Sequence, residues 1–456
     1  MEAGSLDLHT KLRSHKAKIA VWGTGYIGFS TMAYFARNGI RCVGYDIVPE
    51  TARSINAGKI SLPGLGQWLG FSTEPLVKNG LMHATSDVKE ILEDPTVKVH
   101  FVSIPTERNG RPWDGALQDV SKKISGKKVE NGPDLVIIES TLSPGQCDKV
   151  MVSTLNRTGR KIPKEFQIAV APRRDWFDNP GLNVHTIPRV VGGVDQESQK
   201  AAEEVLGIIC SKLVPVSNHR IAELVKSTEN SFRALNIAFA NALSRAYPDV
   251  DTVELINAAA TKWNYVAHYP GLGTGGYCIP LAPEYLLEGS GTKGEHTDFL
   301  SLINRVNRSQ TIFIGGLINN SLSAGSVGIL GLSYKRNLKV HVLSPSITLA
   351  ETLKNAGKRV RIQDPYYSSE EVEMIAGVGS FRYPEDLKDF GSLVVSVPHL
   401  EYTETPVPAL LDLIRPGTFI LDAEGAWESY RDFFHQKSID YRKIGDAGWA
   451  IPRMKK

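Results

Sequence analysis

The sequence predicts an α/β protein: two Rossmann-like domains with parallel sheets, joined by a long central helix within a helical middle domain. Three observations predict it. An apolar run near the start, Lys18-Ile-Ala-Val-Trp22, passes into Gly23-x-Gly25-x-x-Gly28 and then a helical pattern through Phe35. A second apolar run ending in glycine, Ser326 to Gly331, restarts the same strand-then-turn order late in the chain. Between them, Ile221 to Leu243 reads as one uninterrupted helix. Alternating strands and helices on either side of a helical segment give α/β layers with a cleft between domains as the ligand's place. The expected boundaries are 1–198 for a dinucleotide-binding domain, 199–312 for a central helical dimerisation domain, and 313–456 for a substrate-binding domain.

The first domain carries the most readable chemistry. Glycines at the strand-to-helix turn let the backbone approach a pyrophosphate, which the helix N-terminus then holds. Gly23, Gly25, Tyr26, Ile27 and Gly28 are the expected contacts there. The next strand, Arg41 to Tyr45, ends at Asp46, where a carboxylate receives the adenosine ribose hydroxyls and repels a 2′-phosphate, so NAD is expected over NADP. The runs Val99 to Ile104 and Asp134 to Glu139 end in Pro105-Thr106 and Ser140-Thr141. Ligands sit at such strand ends, which makes Pro105, Thr106 and Thr141 candidates to line the cofactor, with turn or helix-capping duty the alternative for Thr141. A further strand leads into Arg173-Arg174, either a solvated pair or an anion site.

In the middle segment Lys226 and Asn230 are four residues apart on one helix face, either a solvated stripe or donors for an oxyanion. Tyr269 precedes Gly271-Leu-Gly273-Thr-Gly275-Gly276-Tyr-Cys278, a glycine-rich loop that presents backbone N–H groups beside a thiol. A cysteine so placed is a candidate nucleophile, the alternative being a surface turn next to a structural cysteine. In the last domain Ser326 to Lys335, Lys358 to Asp364, Ser392 to Pro398 and Thr418 to Asp422 are expected strands with their trailing turns, and Lys335 is a candidate substrate contact. Trp22, Trp176 and Trp263 lie near these segments, for ring stacking or for core packing.

Composition narrows the classes. The chain has 456 residues and a formal net charge of +3 from 52 basic and 49 acidic side chains, a balance that excludes a nucleic acid or bulk membrane surface as partner. Its four cysteines are scattered without metal-ligand spacing, so neither a metal site nor a disulfide framework is expected. Met1 to Ala17 is polar, and no apolar run approaches the roughly 18 residues that cross a bilayer, which points to the cytoplasm.

Glu139-Ser-Thr141, Ala222 through Ser244, Gly271 to Pro280 and Gly331-Leu-Ser-Tyr-Lys335, in this order, resemble the UDP-glucose and GDP-mannose dehydrogenases, the nucleotide-sugar 6-dehydrogenase family. Within it the look is closest to the UDP-N-acetylmannosamine and UDP-N-acetylglucosamine dehydrogenases. The resemblance implies NAD-dependent oxidation of a primary alcohol to a carboxylate in two hydride transfers, through a thiohemiacetal and a thioester on the cysteine. By motif position it implies Cys278 as nucleophile, Lys226 and Asn230 on the developing oxyanion and Thr141 on the hydrolytic water. Arg173, Arg174, Lys226, Asn230, Tyr269, Gly273, Gly275, Gly276 and Lys335 are the expected contacts of an anionic small-molecule substrate, and the long middle helix is the expected core of a homodimer. Four places depart from the family pattern. Arg173 stands for a glutamate, Ala282 for an aspartate, Asn264 for an arginine, and Lys339-Val-His-Val342 for an acid-acid-x-arginine run. Three readings stay open here: a nucleotide-sugar dehydrogenase, a dehydrogenase of another anionic alcohol or aldehyde bearing phosphate, phosphonate or carboxylate, and a non-catalytic NAD-binding relative.

Overall fold

The expected strands of the first domain, with three more, assemble into one eight-stranded sheet. They are β1 (Lys18–Trp22), β2 (Cys42–Tyr45), β3 (Met82–Thr85), β4 (Val97–Val102), β5 (Asp134–Ile138), β6 (Phe166–Val170), β7 (Arg189–Gly193) and β8 (Leu213–Pro215). Their spatial order is β8-β7-β6-β5-β4-β1-β2-β3. All neighbours run parallel except β6 and β7. The first six strands thus take the doubly wound dinucleotide-binding order, whose reversal between β1 and β4 opens the binding crevice. Strands covered on both faces are largely apolar, and β2, β4, β5 and β7 are buried along their whole length, with their polar members Lys98, His100, Asp134 and Arg189 paired by charge or hydrogen bond. Trp22 is fully buried in this sheet, edge-on to Tyr45, with its indole N–H on His100 Nδ1 at 3.2 Å, so it packs the core and does not stack on a ligand.

The computed structural model describes residues 7–177, 179–321 and 325–451; the expected domain ranges 1–198 and 313–456 include a few residues outside these. Two compact units emerge. One comprises the chain up to Glu229 together with Glu284–Gly291, and the other comprises Asn230–Pro283 and the chain from Thr292 onward. The division at 198 falls inside the helix Gln196–Leu206, and β8 still belongs to the first sheet, so that unit reaches further than the fading strand pattern suggests. The division at 312 likewise falls within a helix, Glu295–Ser321.

The second unit is built on β9 (Ser326–Leu330), β10 (Arg359–Gln363), β11 (Ser392–Val395), β12 (Phe419–Asp422) and β13 (Asp440–Lys443), all parallel, in the order β10-β9-β11-β12-β13. This is the other common doubly wound order, with its switch point between β9 and β11. The expected long helix is present as one element, His219–Ala246. Among the described residues no helix is long and apolar enough to cross a membrane.

Candidate active site

The first unit gathers the glycine turn, Asp46 and the two threonine-bearing strand ends. Gly23 sits at φ +85°, and a Cβ there would lie 2.5 Å from the Ser103 carbonyl oxygen at the end of β4. A Cβ on Gly28 would lie 1.8 Å from the Gly23 carbonyl oxygen, so helix α1 (Tyr26–Arg37) approaches the turn only because both residues are glycine. Gly25, the residue before α1, has no atom within 4 Å of its Cβ direction and leaves the helix N-terminus open. Tyr26 and Ile27, half-buried, begin α1; the Tyr26 hydroxyl donates to the Pro63 carbonyl at 2.9 Å.

Asp46 follows β2. Its Oδ2 accepts from the Thr24 N–H at 3.0 Å and the Thr24 hydroxyl at 2.7 Å, and its Oδ1 accepts from the Val48 N–H at 3.0 Å. The carboxylate is thereby tied to the glycine turn, and its remaining lone pairs suit a ribose diol. The sequence reading had overlooked Thr24, although it lies inside the fingerprint. Beyond β4 and β5, Pro105 is exposed, Thr106 is buried and Thr141 is half-buried. The Thr106 hydroxyl donates to the Thr141 carbonyl at 2.5 Å, bringing two predicted residues together. This cradle fits a dinucleotide.

Arg173 is neither solvated nor presented as an open anion site. It is 1% exposed, and its Nε donates to Asp175 at 2.6 Å. Its Nη1 reaches Thr31 Oγ1 at 2.6 Å and its Nη2 reaches Ser30 Oγ at 3.1 Å, both on α1. Burial opposes its charge, but the carboxylates of Asp175 and Glu139 hold it protonated. Glu139, also buried, accepts from Thr31 at 2.8 Å, Ser103 at 2.7 Å and Arg189 at 2.6 Å. It is a hub at the sheet's carboxyl end, and nothing in its sequence position next to Ser140-Thr141 signals that role. Arg174 is half-buried, paired with Glu229 at 2.5 Å and donating to the Pro188 carbonyl at 2.7 Å. Both arginines are therefore engaged within their own unit.

The central helix α2 (His219–Ala246) carries Lys226 and Asn230, each half-buried, one turn apart on one face. Ser227 beside them is fully buried, so the stripe is not a purely solvated one.

In the second unit the glycine loop has a different cause from the one its composition suggests. A Cβ on Gly275 would lie 2.4 Å from Tyr334 Cβ, and one on Gly276, at φ +81°, would lie 2.7 Å from the Tyr334 ring. A Cβ on Gly273, at φ +150°, would lie 2.6 Å from Thr311 Oγ1. The Gly276 N–H donates to the Val342 carbonyl at 2.8 Å. Gly275 and Gly276 are required because the segment from Tyr334 to Leu343 packs against their Cβ sides, and Gly273 because Thr311 does. Gly271 is anchored instead, its N–H on Asn241 Oδ1 at 3.0 Å and its carbonyl accepting from Gln310 at 3.1 Å. Tyr269 is 48% exposed and donates to Asn257 at 2.7 Å.

That anchored loop ends at Cys278, the first residue of helix α3 (Cys278–Glu288), and the thiol is exposed. Backbone amides at a helix N-terminus favour developing negative charge. Cys42, Cys147 and Cys210 are buried, and desolvation pushes their thiols up, which leaves them inert at neutral pH. The four cysteines divide cleanly into three packing residues and one accessible thiol.

Lys335, half-buried, follows Gly331-Leu-Ser-Tyr at the end of β9. Asp364, after β10, accepts from the Leu332 N–H at 2.9 Å, the Ser333 N–H at 2.8 Å and His399 Nε2 at 3.2 Å, pinning that turn at the switch point. Lys339, where the family pattern has an acid, pairs with both oxygens of Glu371 at 2.6 and 2.8 Å.

Residues 17–209 match the UDP-glucose/GDP-mannose dehydrogenase family, NAD binding domain; residues 220–309 match its central domain, and 328–429 its UDP binding domain. The chain is 31% identical over 360 residues to the UDP-N-acetyl-D-mannosamine dehydrogenase of Pyrococcus horikoshii, covering 76% of this chain and 84% of that one. It is 26% identical over 403 residues to the UDP-N-acetyl-D-glucosamine 6-dehydrogenase of Salmonella typhi, covering 85% and 91% respectively. The solved structure of the UDP-D-ManNAc dehydrogenase from Pyrococcus horikoshii superposes with a TM-score of 0.81 at 26% identity, over 94% of this chain and 100% of that one.

Proposed function

The chain belongs to the UDP-glucose/GDP-mannose dehydrogenase family of NAD-dependent dehydrogenases, and from that premise we propose that it oxidises the primary alcohol of a nucleotide sugar to the carboxylate, through a covalent adduct on Cys278. The observation that carries this is the single accessible thiol at the start of α3, reached by a loop whose glycines lock against Tyr334.

Gly23, Gly25, Tyr26, Ile27, Gly28, Asp46, Pro105, Thr106 and Thr141 hold the cofactor in this reading. NAD, when bound, accepts a hydride in each of the two oxidations. The Cys278 thiolate adds to the aldehyde carbonyl carbon, and its sulfur stays bonded while the thiohemiacetal carbon is oxidised to a thioester. Lys226 and Asn230, on one face of α2, donate to the oxyanion at the addition and again at hydrolysis, a contribution of a few kcal/mol when such donors are fixed in advance (~3 kcal/mol each). Thr141 orients the water that attacks the thioester; the thiolate leaves more readily than an alkoxide, which regenerates the nucleophile. The nucleotide portion goes to the second doubly wound sheet, with Lys335 and the turn pinned by Asp364 as its contacts, alongside Tyr269, Gly273, Gly275 and Gly276.

A dehydrogenase of a small anionic alcohol would need cations to hold the anion, and Arg173, Arg174 and Lys339 are the candidates among the departing and strand-end residues. Each is paired with a carboxylate of its own unit, Asp175, Glu229 and Glu371 respectively, which leaves that reading without its support. Phe232 and Phe239, 59% and 53% exposed on α2, support a homodimer through the central helix.

The test is Cys278→Ser. Carboxylate formation is expected to stop, with an ester intermediate visible by intact mass. An unchanged carboxylate yield removes the cysteine from the mechanism.

A further inference from the structure

The second half of α3 packs within the first unit, against the loops that follow β4 and β5. Tyr285, seven residues after Cys278, is 5% exposed. Its hydroxyl lies 3.0 Å from Thr106 Oγ1 and 3.0 Å from the Thr106 carbonyl oxygen. That carbonyl also accepts from the Trp113 N–H at 2.7 Å, and the Thr106 hydroxyl spends its own proton on the Thr141 carbonyl at 2.5 Å. A turn further on, Glu288 accepts from the Ser143 hydroxyl at 2.9 Å, and Gly289 fits only because it lacks a Cβ, which would lie 2.5 Å from Pro144. Thr141 therefore sits between two clamps, Tyr285 through Thr106 on one side and Glu288 through Ser143 on the other.

We propose that Tyr285 is a positioning residue for thioester hydrolysis, fixing Thr106 and through it the Thr141 backbone whose side chain orients the water. This rests on the role given above to Thr141. The physical argument is one of alignment. The Thr106 carbonyl is held by the Trp113 N–H and its hydroxyl by the Thr141 carbonyl. The Tyr285 hydroxyl, 3.0 Å from both oxygens, gives its one proton to them and adds the buried contact that fixes the Thr106 side chain relative to its own backbone. Without it the Thr106 hydroxyl is free to turn away from Thr141, and a misplacement of an ångström at a reacting group costs up to about a hundredfold in rate.

Tyr285→Phe keeps the ring and removes the clamp. Three readouts separate positioning from bulk structure: NADH release, steady-state covalent adduct on Cys278 by intact mass, and amide hydrogen exchange across 103–106 and 139–146. The expected result is faster exchange in both segments, kcat lowered at least about tenfold, accumulation of the acyl-enzyme, and KM for the nucleotide sugar within about twofold of wild type. Thr106→Val should reproduce this, the double variant should add little, and Thr106→Ser, which keeps the hydroxyl, should lose less than Thr106→Val. Unchanged exchange and turnover in Tyr285→Phe overturns the proposal, as does a slowed first oxidation with no adduct. If Tyr285→Phe does not fold, equal losses in Thr106→Val and Thr106→Ser overturn it. The two levels fail separately. Two NADH per acid in wild type with an unaltered Tyr285→Phe sinks the positioning role alone, whereas acid formation unaffected in Cys278→Ser sinks the covalent reading.

Discussion

Replacing Arg173 by methionine removes a buried cation from between two buried carboxylates. Asp175 and Glu139 have side chains 2% and 0% exposed, and Arg173 supplies the 2.6 Å hydrogen bond to the first and a charge 3.9 Å from the second. Taking one member from a buried ion pair costs about 3–5 kcal/mol, because the remaining charge keeps its desolvation penalty and loses its partner. Glu139 retains Arg189, so the loss falls mainly on Asp175. At about 2–4 °C per kcal/mol for a unit of this size, the first unit should melt about 10 °C lower. Arg173→Glu, which places the family's acid here, should be worse still, since it adds a third carboxylate among Glu139 and Asp175. The assay is thermal melting with and without saturating NAD, because a ligand that binds the folded state raises the transition of the unit that holds it. Arg173→Met/Asp175→Leu, which removes both charges, should recover much of the loss, as apolar replacement of a buried pair commonly does. A melting point for Arg173→Met within about 2 °C of wild type, or additive losses in the double variant, would refute the buried-cluster argument.

Two further outcomes follow from the same physics. Burial would raise the Asp134 carboxyl, but the His100 hydrogen bond and charge, with Lys127 and Lys98, hold it at about 2; burial also lowers His100, whose Nδ1 accepts the Trp22 N–H. In both cases the unfolded chain takes up the proton before the folded one, so stability is present above the unfolded values and falls on acidification. The fall begins below about pH 6.5 through His100 at no more than about 1.4 kcal/mol per pH unit, and resumes below about pH 3.8 through Asp134. Melting curves from pH 8 to 5 should slope downward below 6.5, and His100→Gln should flatten that segment; a flat wild-type curve contradicts it. Gly276→Ala, forced to φ +81° against the Tyr334 ring, should cost about 1–3 kcal/mol and most activity. Gly271→Ala, which meets no atom within 4 Å, should be nearly silent. Equal effects in the two variants would remove the packing explanation of the loop.

How far the sequence could be read depended on whether the constraint was local. Gly28 is constrained by the Gly23 carbonyl of its own turn, Gly23 by its φ of +85°, and Asp46 by its place at the end of the second strand, so spacing was enough to find them. Five strands of the first sheet and four of the second were legible for the same reason, since burial writes apolar runs, whereas β3, β7, β8 and the polar β13 were not. The glycines at 273, 275 and 276 were found but explained by ligand approach, because the side chains that fill their Cβ space, Thr311 for Gly273 and Tyr334 for Gly275 and Gly276, lie far along the chain. Arg173 looked like a surface pair or an anion site because, Asp175 apart, the partners that bury it, Thr31, Ser30 and Glu139, lie far away in sequence. Tyr285 carried no signal at all: a tyrosine two turns into an apolar helix reads as packing until its hydroxyl is seen between two atoms of Thr106. The order β10-β9-β11-β12-β13, which differs from that of the first sheet, was likewise beyond the pattern, since strand order is set by crossovers and not by periodicity.

The most direct measurement counts NADH against product. Purified protein with NAD is offered UDP-N-acetylmannosamine, UDP-N-acetylglucosamine, UDP-glucose and GDP-mannose, and product is identified by mass. The account predicts two NADH for each uronic acid formed from at least one of them. One NADH per aldehyde released, or no turnover of any nucleotide sugar by protein that binds NAD, would contradict it.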